Sequence, residues 1–199
     1  SGNTVKYAMT LQNVIDLYRH RGVPKYRDRH PKAFTIFVAN LKGGGSKSVS
    51  TATLAHAFRA HPHLLYEDIR VLALDFDPQA SLTMLLRHES SVGLVEETAA
   101  QAMLQNVSRE ELMSEFIVPT TIPGVDIIPA SIDDAFLAER WKELCNDNLP
   151  GQNIHAVLRE NIIDKLEKDY DFIFVDTGPH LDAFLKNGIG AADILLTPL

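Results

Sequence analysis

Short, continuously apolar runs alternate along this chain with longer segments whose apolar residues recur at helical spacing. Continuous apolar runs of about four to eight residues are typical of strands buried on both faces of a parallel sheet. Helices between such strands would cover both faces of the sheet. We therefore predict an α/β fold with a mostly parallel sheet flanked by helices. Strands are expected at residues 35–40, 71–74, 125–129, 172–176 and within 193–199.

The predicted helices carry recognisable start and stop signals. Thr10 is an N-cap for a helix over residues 11–20, and Gly22 followed by Pro24 ends that helix. Ser108, with Glu111 three residues later, forms a capping box. Further expectations are a short strand at 4–10, helices at 47–61, 108–116, 134–144 (capped by Ser131) and 154–168, and Met103 and Met113 as core filler.

Composition narrows the class of protein. The chain has 199 residues, of which 45% are hydrophobic, and this allows one domain of ordinary size plus an appendage. We find no apolar run long enough to span a membrane and no signal peptide, and the pattern at both ends suggests a fragment of a longer protein. Cys145 is the only cysteine, so an internal disulfide is excluded and a reducing, cytoplasmic location is expected.

A basic segment separates the N-terminal appendage from the rest. We expect an appendage at residues 1–22, a linker at 23–33 and a core domain at 34–199. The net charge is −7, whereas a dedicated DNA-binding domain tends to be strongly basic. The basic segment is therefore either a solvated linker, which we favour, or a local DNA contact. Its members are Arg19, Arg21, Lys25, Arg27, Arg29 and Lys32, with His20 and His30 among them.

Residues 41–48, Leu-Lys-Gly-Gly-Gly-Ser-Lys-Ser, are the strongest chemical signal. They follow the first predicted strand and open a predicted helix. Strand, glycine-rich turn and helix together present backbone N–H groups and a positive helix terminus to a phosphate. Lys47 can reach the β- and γ-phosphates of a nucleotide, and the Ser48 hydroxyl can bind Mg²⁺.

This loop departs from the general phosphate-loop pattern G-x-x-x-x-G-K-[ST]. Ser46 stands where the last glycine is expected, Leu41 stands where the first is expected, and Lys42 is an additional lysine. The alternative interpretation is a glycine-rich hairpin or helix cap with incidental lysines. The strand and helix character of the flanks, together with the acids described next, favours the phosphate loop.

Acidic residues follow two of the apolar strands. Asp75 and Asp77 end the second strand, and Asp176 ends the fourth. Ligands of open α/β sheets bind at the carboxyl ends of the strands, where the glycine loop also leaves the first strand. Asp176 is therefore predicted to bind magnesium through water, and Asp75 is a second candidate for that role. Asp77 is predicted to orient water towards the γ-phosphate. No cysteine or paired acid has zinc-like spacing with His56, His61 and His63, so a metal site there is disfavoured. His180, near the predicted site, is a weaker candidate for contact with a nucleotide or a partner.

With these residues in view, the chain resembles the ParA plasmid-partition ATPases over nearly its whole length. Residues 42–48 look like their deviant Walker A box, with Lys42 as the signature lysine. Residues 75–79 look like their second box, and residues 171–176 look like their Walker B strand. The resemblance is closest to the large phage-plasmid type, which tolerates serine at the position of Ser46.

The resemblance implies a P-loop NTPase fold, preceded by the tail of a winged helix-turn-helix DNA-binding domain in residues 1–22. It also implies weak, Mg²⁺-dependent ATP hydrolysis. Catalytic roles would fall to Lys42, Lys47 and Asp77, and metal binding to Ser48, Asp75 and Asp176. Nucleotide contacts would come from Lys42, Gly43, Gly44, Gly45, Ser46, Lys47, Ser48 and Val49.

The family further implies partners. An ATP-sandwich homodimer is expected, in which Lys42 reaches the phosphates of the other subunit, as an arginine finger does. The ATP form would bind DNA nonspecifically, respond to the centromere-binding protein ParB and associate with the nucleoid. The ADP form would repress its own operon through the N-terminal domain. No membrane partner is expected.

Three alternatives remain open from the sequence. A transcriptional repressor in which nucleotide is only an effector would use the same appendage and basic segment. A nitrogenase-reductase-like electron carrier shares this type of loop, but it needs cluster cysteines and the chain has only Cys145. A dinucleotide dehydrogenase is disfavoured because the third glycine is missing and a Lys-Ser pair has no role in that fingerprint.

Overall fold

The computed structural model describes residues 8–40, 46–87, 96–180 and 182–198, and these form a single six-stranded sheet. The strands are β1 (Phe34–Val38), β2 (Val71–Asp75), β3 (Val118–Pro119), β4 (Val125–Ile128), β5 (Phe172–Asp176) and β6 (Ile194–Leu196). Their order across the sheet is β3-β4-β2-β5-β1-β6. Neighbouring strands are parallel except for β3 and β4. The predicted α/β fold with a mostly parallel sheet is confirmed.

Helices connect the strands and cover the sheet. They are α1 (Leu11–His20), α2 (Tyr26–Arg29), α3 (Lys47–Ala60), α4 (Ser81–Leu86), α5 (Ala99–Gln105), α6 (Arg109–Glu111), α7 (Asp134–Glu139), α8 (Trp141–Asn148), α9 (Asp164–Leu166) and α10 (Ala183–Ala191). Two π-helical segments, Leu112–Phe116 and Arg159–Ile163, continue from α6 and into α9. A short 3₁₀ turn covers Leu65–Glu67.

The sheet is buried on both faces. On one face Val71, Phe172 and Phe174 pack with side chains of α3, among them Ala55 and Phe58. The other face supports a larger core, which includes Phe37, Leu72, Leu74, Ile173 and Val175 together with residues of α5, α8 and α10. Because both alternating sets of side chains are buried, the central strands read as continuous apolar runs.

The carboxyl ends of the three central strands lie in one row. In the strand register, Val38 of β1 is opposite Asp176 of β5, and Asp176 is opposite Asp75 of β2. The backbone N–H of Phe76 donates to the Asp176 carbonyl at 2.9 Å. The predicted convergence of the strand-end acids therefore follows from the order of the strands.

The strand β3 is absent from the strands predicted from the sequence. It contains Pro119, and it pairs antiparallel with β4 at the edge of the sheet. Proline cannot donate to a strand ladder and is confined to such edges. A two-residue edge strand has too few residues to show an alternating pattern.

Two predicted helices differ in the structure. The helix predicted at 134–144 divides at Arg140 into α7 and α8. Asp133, not Ser131, occupies the N-cap position of α7. The buried Asp134 carboxylate accepts the backbone N–H of Ser131 and the hydroxyl of Thr98, so Ser131 is not the cap. The helix predicted at 154–168 includes the π-helical segment Arg159–Ile163.

Some local expectations are confirmed and others are wrong. Thr10 and Ser108 cap their helices, and Gly22 ends α1 with a φ of 66°. Met103 is fully buried, as predicted, but Met113 is 38% exposed and is not core filler. In the strand predicted at 4–10, residues 4–7 lie outside the described part of the chain and residues 8–10 are irregular.

The basic segment is largely exposed to solvent, and it is also paired with the core. It forms the short helix α2, and its arginines pair with carboxylates of the core. The ion pairs join Arg19 to Asp68, Arg27 to Asp171, Arg29 to Glu67 and Lys32 to Glu167. The sequence alone did not indicate these ion pairs, because the acidic partners come from distant positions in the chain.

Among the described residues, no helix combines the length and the apolar character that crossing a bilayer requires.

Candidate nucleotide and magnesium site

The site lies at the carboxyl end of the sheet, where the chain passes from β1 to α3. The predicted site residues Lys42, Gly43, Gly44 and Gly45 lie outside the described residues. Ser46 occupies the N-cap position of α3, a helix of 14 residues. Because β5 lies between β1 and β2 in the sheet, the segment after β1 is not the turn of a hairpin. The hairpin alternative is therefore wrong.

Lys47 and Ser48 begin α3 and lie close to the acids. The Lys47 side chain is 6% exposed, and its backbone carbonyl accepts the hydroxyl of Thr51 at 2.9 Å. The first N–H groups of a helix have no partner within that helix and carry a partial positive charge. This helix start can therefore receive an anionic oxygen, as the sequence predicts.

Asp176 is the most unusual residue of the site. It is fully buried, and neither carboxylate oxygen has a hydrogen-bond partner of standard geometry in the described part of the chain. Burial raises the pKa of this carboxyl group to about 7. The nearby Ser48 hydroxyl and the Lys47 charge act to lower that pKa, whereas Asp75 and Asp77 act to raise it. A buried carboxylate without partners costs several kcal/mol unless a cation or donors reach it.

Magnesium fits this arrangement. Mg²⁺ prefers hard oxygen ligands, keeps several waters, and is held by one or two carboxylates together with substrate phosphates. Asp176 and the Ser48 hydroxyl supply such oxygens beside the helix start that would face the phosphates. Within residues 8–40, 46–87, 96–180 and 182–198, no three carboxylate, imidazole or thiol groups form a metal cluster. The oxygens of Asp176 and Ser48 are therefore few, and the other ligands of Mg²⁺ would be water and phosphate oxygens.

The Asp75 carboxylate already has hydrogen-bond partners. One oxygen accepts the Asp77 N–H at 3.0 Å, and the other accepts the N–H and hydroxyl of Thr83 at 2.9 and 2.7 Å. Burial raises the pKa of Asp75 to about 6, and the Thr83 hydrogen bonds oppose that rise. These contacts favour a positioning role for Asp75, which would hold the Asp77 turn and the start of α4. Its predicted role as a metal ligand stays a prediction.

Asp77 lies on the loop that follows β2. Its side chain is half-buried, and one carboxylate oxygen accepts the N–H of Gln79 at 3.0 Å. A Cβ placed on Gly178 would lie 3.5 Å from the same oxygen and 3.9 Å from the ring of His180. The loops after β2 and β5 therefore touch beside Asp77. This position is compatible with a water-orienting role, which stays a prediction, and it places the exposed His180 beside the site.

An open pocket of about 450 Å³ adjoins the start of α3. On one side it is formed by the polar helix start, and on the other by the exposed apolar side chains of Met84 and Leu85. Its lining residues are Ser46, Lys47, Ser48, Val49, Ser81, Met84 and Leu85. Residues Ser46–Val49, the described part of the predicted phosphate site, therefore all line one pocket.

Sequence reasoning missed two buried threonines of the site. Thr83 anchors Asp75, but its distance of eight residues along the chain is no recognisable motif. Thr177 follows Asp176, is 1% exposed, and its hydroxyl lacks a hydrogen-bond partner among the described residues. A signal for Thr177 was present, since a hydroxyl residue directly after a strand-end acid lies at the same edge of the sheet.

Two family models match the chain. The model of the AAA domain matches residues 33–199, and the model of the ParA helix turn helix domain matches residues 1–30. The two matches together leave only residues 31 and 32 between them.

Curated relatives are similar over most of the chain. The plasmid partition protein A of Escherichia coli is 68% identical over 199 residues, which is 100% of this chain and 50% of that protein. A putative replication protein A of Sinorhizobium fredii is 30% identical over 182 residues, which is 88% of this chain and 42% of that protein. The chain thus spans half or less of the length of these relatives.

Solved structures share the fold. A structure described as a partition protein has a TM-score of 0.86 at 57% identity, and the match covers 98% of this chain and 53% of that one. Cobyrinic acid a,c-diamide synthase from Mycobacterium smegmatis, with bound ATP analog and magnesium, has a TM-score of 0.67 at 27% identity. That match covers 84% of this chain and 60% of the synthase.

Proposed function

Because the chain belongs to the ParA family of plasmid-partition ATPases, we propose that it binds and hydrolyses ATP as the switch that segregates a low-copy plasmid. The observation that carries this proposal is Asp176, a buried carboxylate beside Ser48 and Lys47 at a helix start, whose oxygens have no hydrogen-bond partner of standard geometry among the described residues. Such a group is expensive to bury for structure alone. A hydrated Mg²⁺ with ATP would compensate for that cost.

Each residue has a distinct role in this proposal. The N–H groups at the start of α3 and the Lys47 ammonium bind the phosphates, and Ser48 and Asp176 hold Mg²⁺. The chemistry that bound Mg²⁺ supplies is neutralisation of charge on the phosphate oxygens. Asp77 orients the attacking water, and Asp75 keeps the Asp77 turn in place through its hydrogen bond to the Asp77 N–H. The support for ATP is the site geometry together with the nucleotide-bound synthase of similar fold.

Partners follow from the family rather than from the site. We propose an ATP-sandwich homodimer in which Lys42 reaches the other subunit's phosphates, regulation by ParB, and nonspecific DNA binding on the nucleoid by the ATP form. Operator binding by the ADP form would use the N-terminal unit, and the match of residues 1–30 to a helix-turn-helix model supports this. The same observation supports the second candidate function, a nucleotide-regulated repressor without motor activity.

Three alanine variants of the full-length protein test the site. Lys47→Ala should weaken ATP binding about 10- to 100-fold, since a charge-assisted hydrogen bond contributes about 1.5–3 kcal/mol. Asp77→Ala should retain ATP but hydrolyse it about a hundredfold more slowly. Lys42→Ala should keep ADP binding but lose ATP-dependent dimerisation in sedimentation. Lys142→Ala, on the surface of α8, is the control.

The outcomes separate the candidates. Unchanged ATP affinity and turnover in Lys47→Ala would contradict the site assignment, and wild-type turnover in Asp77→Ala would remove its water-orienting role. ATP-driven dimers of Lys42→Ala would contradict the role of Lys42 across the interface. A repressor without motor activity should show no turnover above background when DNA and ParB are added, whereas a partition ATPase should be stimulated.

A further inference from the structure

Five charged residues meet at the amino-terminal edge of the sheet, opposite the nucleotide site. We call them the ionic hub: Arg19, Arg27, Arg59, Asp68 and Asp171. Arg19 and Arg59 each donate to the Asp68 carboxylate at 2.9 Å. Arg27 donates to the Asp171 carboxylate at 2.9 Å and to the backbone carbonyl of Asp68 at 2.5 Å. The hub therefore joins residues that are 41 to 144 positions apart in the sequence, except for the Arg59–Asp68 pair.

The hub is built into the core. Asp68 and Asp171 are almost completely buried, and Arg59 is 4% exposed. Arg59 also donates to the carbonyls of Pro123 and Ile69. A Cβ on Gly124 would lie 2.3 Å from the Arg59 side chain, so the glycine leaves the room that this guanidinium occupies. Although burial acts to raise the pKa of Asp68, hydrogen bonds from Arg19 and Arg59 lower it to about 2.

The hub lies on the border between the two matched family models. Arg19 and Arg27 belong to residues 1–30, which match the helix-turn-helix model. Arg59, Asp68 and Asp171 belong to residues 33–199, which match the AAA-domain model. Together with the Arg29–Glu67 and Lys25–Asp68 pairs, these contacts join the DNA-binding unit to the ATPase unit.

The elements that leave the hub on the core side lead to the nucleotide site. The helix α3 begins at Lys47, beside the predicted phosphate loop, and carries Arg59 in its last turn. The strand β2 begins just after Asp68 and ends at Asp75, and β5 begins just after Asp171 and ends at Asp176. The 14 residues of α3 span about 20 Å. A packed helix and two central strands therefore connect the hub to the nucleotide site.

We propose that the ionic hub couples the nucleotide site to the N-terminal DNA-binding unit. In this proposal, the position of α3 relative to β2 and β5 determines which contacts Arg19 and Arg27 make with the core. The inference rests on the proposed function, because it needs a nucleotide-dependent change in DNA binding. It adds the location of the contacts by which nucleotide binding would alter DNA binding. The proposal requires that α3 has two arrangements and that the nucleotide binds them with unequal affinity, since only then does binding shift the hub.

The test measures operator binding by the full-length protein under ADP and under ATP. Allosteric coupling is commonly about 5- to 150-fold in affinity, and we expect the wild-type ratio of the two dissociation constants in that range. Arg27→Gln removes the bonds to Asp171 and to the Asp68 carbonyl, and it should bring the ratio close to one. ATP affinity and basal turnover, measured without operator DNA, should stay at the wild-type level because the hub includes none of the proposed nucleotide-site residues.

Two further variants keep the test specific. Asp171→Asn breaks the same ion pair from the core side, and it retains an acceptor for the Arg70 N–H, which now donates to Asp171 at 2.7 Å. It leaves every arginine of the DNA-binding unit in place, so a loss of direct DNA contact cannot explain its effect. Arg109→Gln is the matched control, since Arg109 pairs with Asp169 but lies on α6, outside the hub.

The inference is supported if the ratio of the two dissociation constants falls close to one in both Arg27→Gln and Asp171→Asn, while Arg109→Gln keeps the wild-type ratio. A wild-type ratio in either hub variant overturns the inference and leaves the proposed function intact. Equal loss in Arg109→Gln also overturns it, because any ion pair would then suffice. If the wild-type protein binds the operator with the same affinity under ADP and ATP, the proposed switch is contradicted, and the inference falls with it. Thermal unfolding of each variant identifies any that does not fold.

Discussion

Replacing Thr83 by valine would test how the protein tolerates a buried carboxylate next to its nucleotide site. Valine has nearly the shape of threonine but no hydroxyl. In the structure the Thr83 hydroxyl donates to Asp75 at 2.7 Å, and it also accepts the Ala130 N–H at 3.3 Å. Hydrogen bonds to charged groups contribute about 1.5–3 kcal/mol. We therefore expect Thr83→Val to lower the free energy of unfolding by about 2–3 kcal/mol at neutral pH.

Thr51 offers a matched control. It is also buried, but its hydroxyl donates to the neutral Lys47 carbonyl at 2.9 Å. Neutral hydrogen bonds contribute about 0.5–1.5 kcal/mol, so Thr51→Val should cost about 1 kcal/mol. The difference between the two variants isolates the contribution of the carboxylate as acceptor.

The pH dependence follows from the raised pKa of Asp75. Burial raises it from 3.8 to about 6 in the folded protein. An acid with a raised folded-state pKa stabilises fully below its unfolded pKa, and that contribution is lost as pH rises through the folded value. Removing the Thr83 hydroxyl raises the folded pKa further. The penalty of Thr83→Val should therefore be small near pH 5, where Asp75 is largely protonated, and grow by about 1–2 kcal/mol towards pH 8.

Urea unfolding of the nucleotide-free, magnesium-free protein at pH 5, 6, 7 and 8 would measure these differences. Thr51→Val should show the same penalty at each pH. If Thr83→Val costs no more than Thr51→Val, or if its penalty does not grow with pH, the Asp75–Thr83 hydrogen bond does not stabilise an ionised carboxylate. The positioning role of Asp75 would then lose its physical basis.

Two further substitutions test contacts that only the folded chain reveals. Arg59→Met should lower the free energy of unfolding by about 3 kcal/mol, because it removes one partner of a buried ion pair; Arg140→Met, whose exposed pair with Glu143 contributes under about 1 kcal/mol, is its control in urea unfolding, and equal costs would contradict the argument. Gly188→Ala should cost about 1–2 kcal/mol despite alanine's better helix propensity, since its Cβ would meet the buried Phe37 ring at 2.7 Å. A stabilised Gly188→Ala in thermal unfolding would show that the Phe37 ring can move aside.

Local patterns predicted much of the fold. The apolar run of β5 was predicted with the bounds Phe172–Asp176 that the structure shows, and the Thr10 cap sets the start of α1 as expected. These features depend on residues within a few positions of one another, which is why a single sequence reveals them. Met113 and the division of the predicted helix at Arg140 depend on packing against other elements, and these were missed.

The candidate site shows the same division. The sequence by itself determined that acids follow apolar strands and that a glycine-rich, lysine-containing loop opens a helix. Only the tertiary structure decided that β5 lies between β1 and β2, which puts Asp176 beside both Val38 and Asp75. It also decided that the Thr83 hydroxyl donates to Asp75, while Asp176 has no hydrogen-bond partner of standard geometry among the described residues.

The basic segment illustrates the physical reason most clearly. Its charges could be read along the chain, but their partners Asp68 and Asp171 lie 41 and 144 residues away from Arg27. A long-range ion pair leaves no periodic or local signal, because it forms only after the sheet brings the chain segments together. Charge type and strand pattern belong to the sequence, whereas which charges are buried, paired or left free for a ligand is decided by the order of the strands.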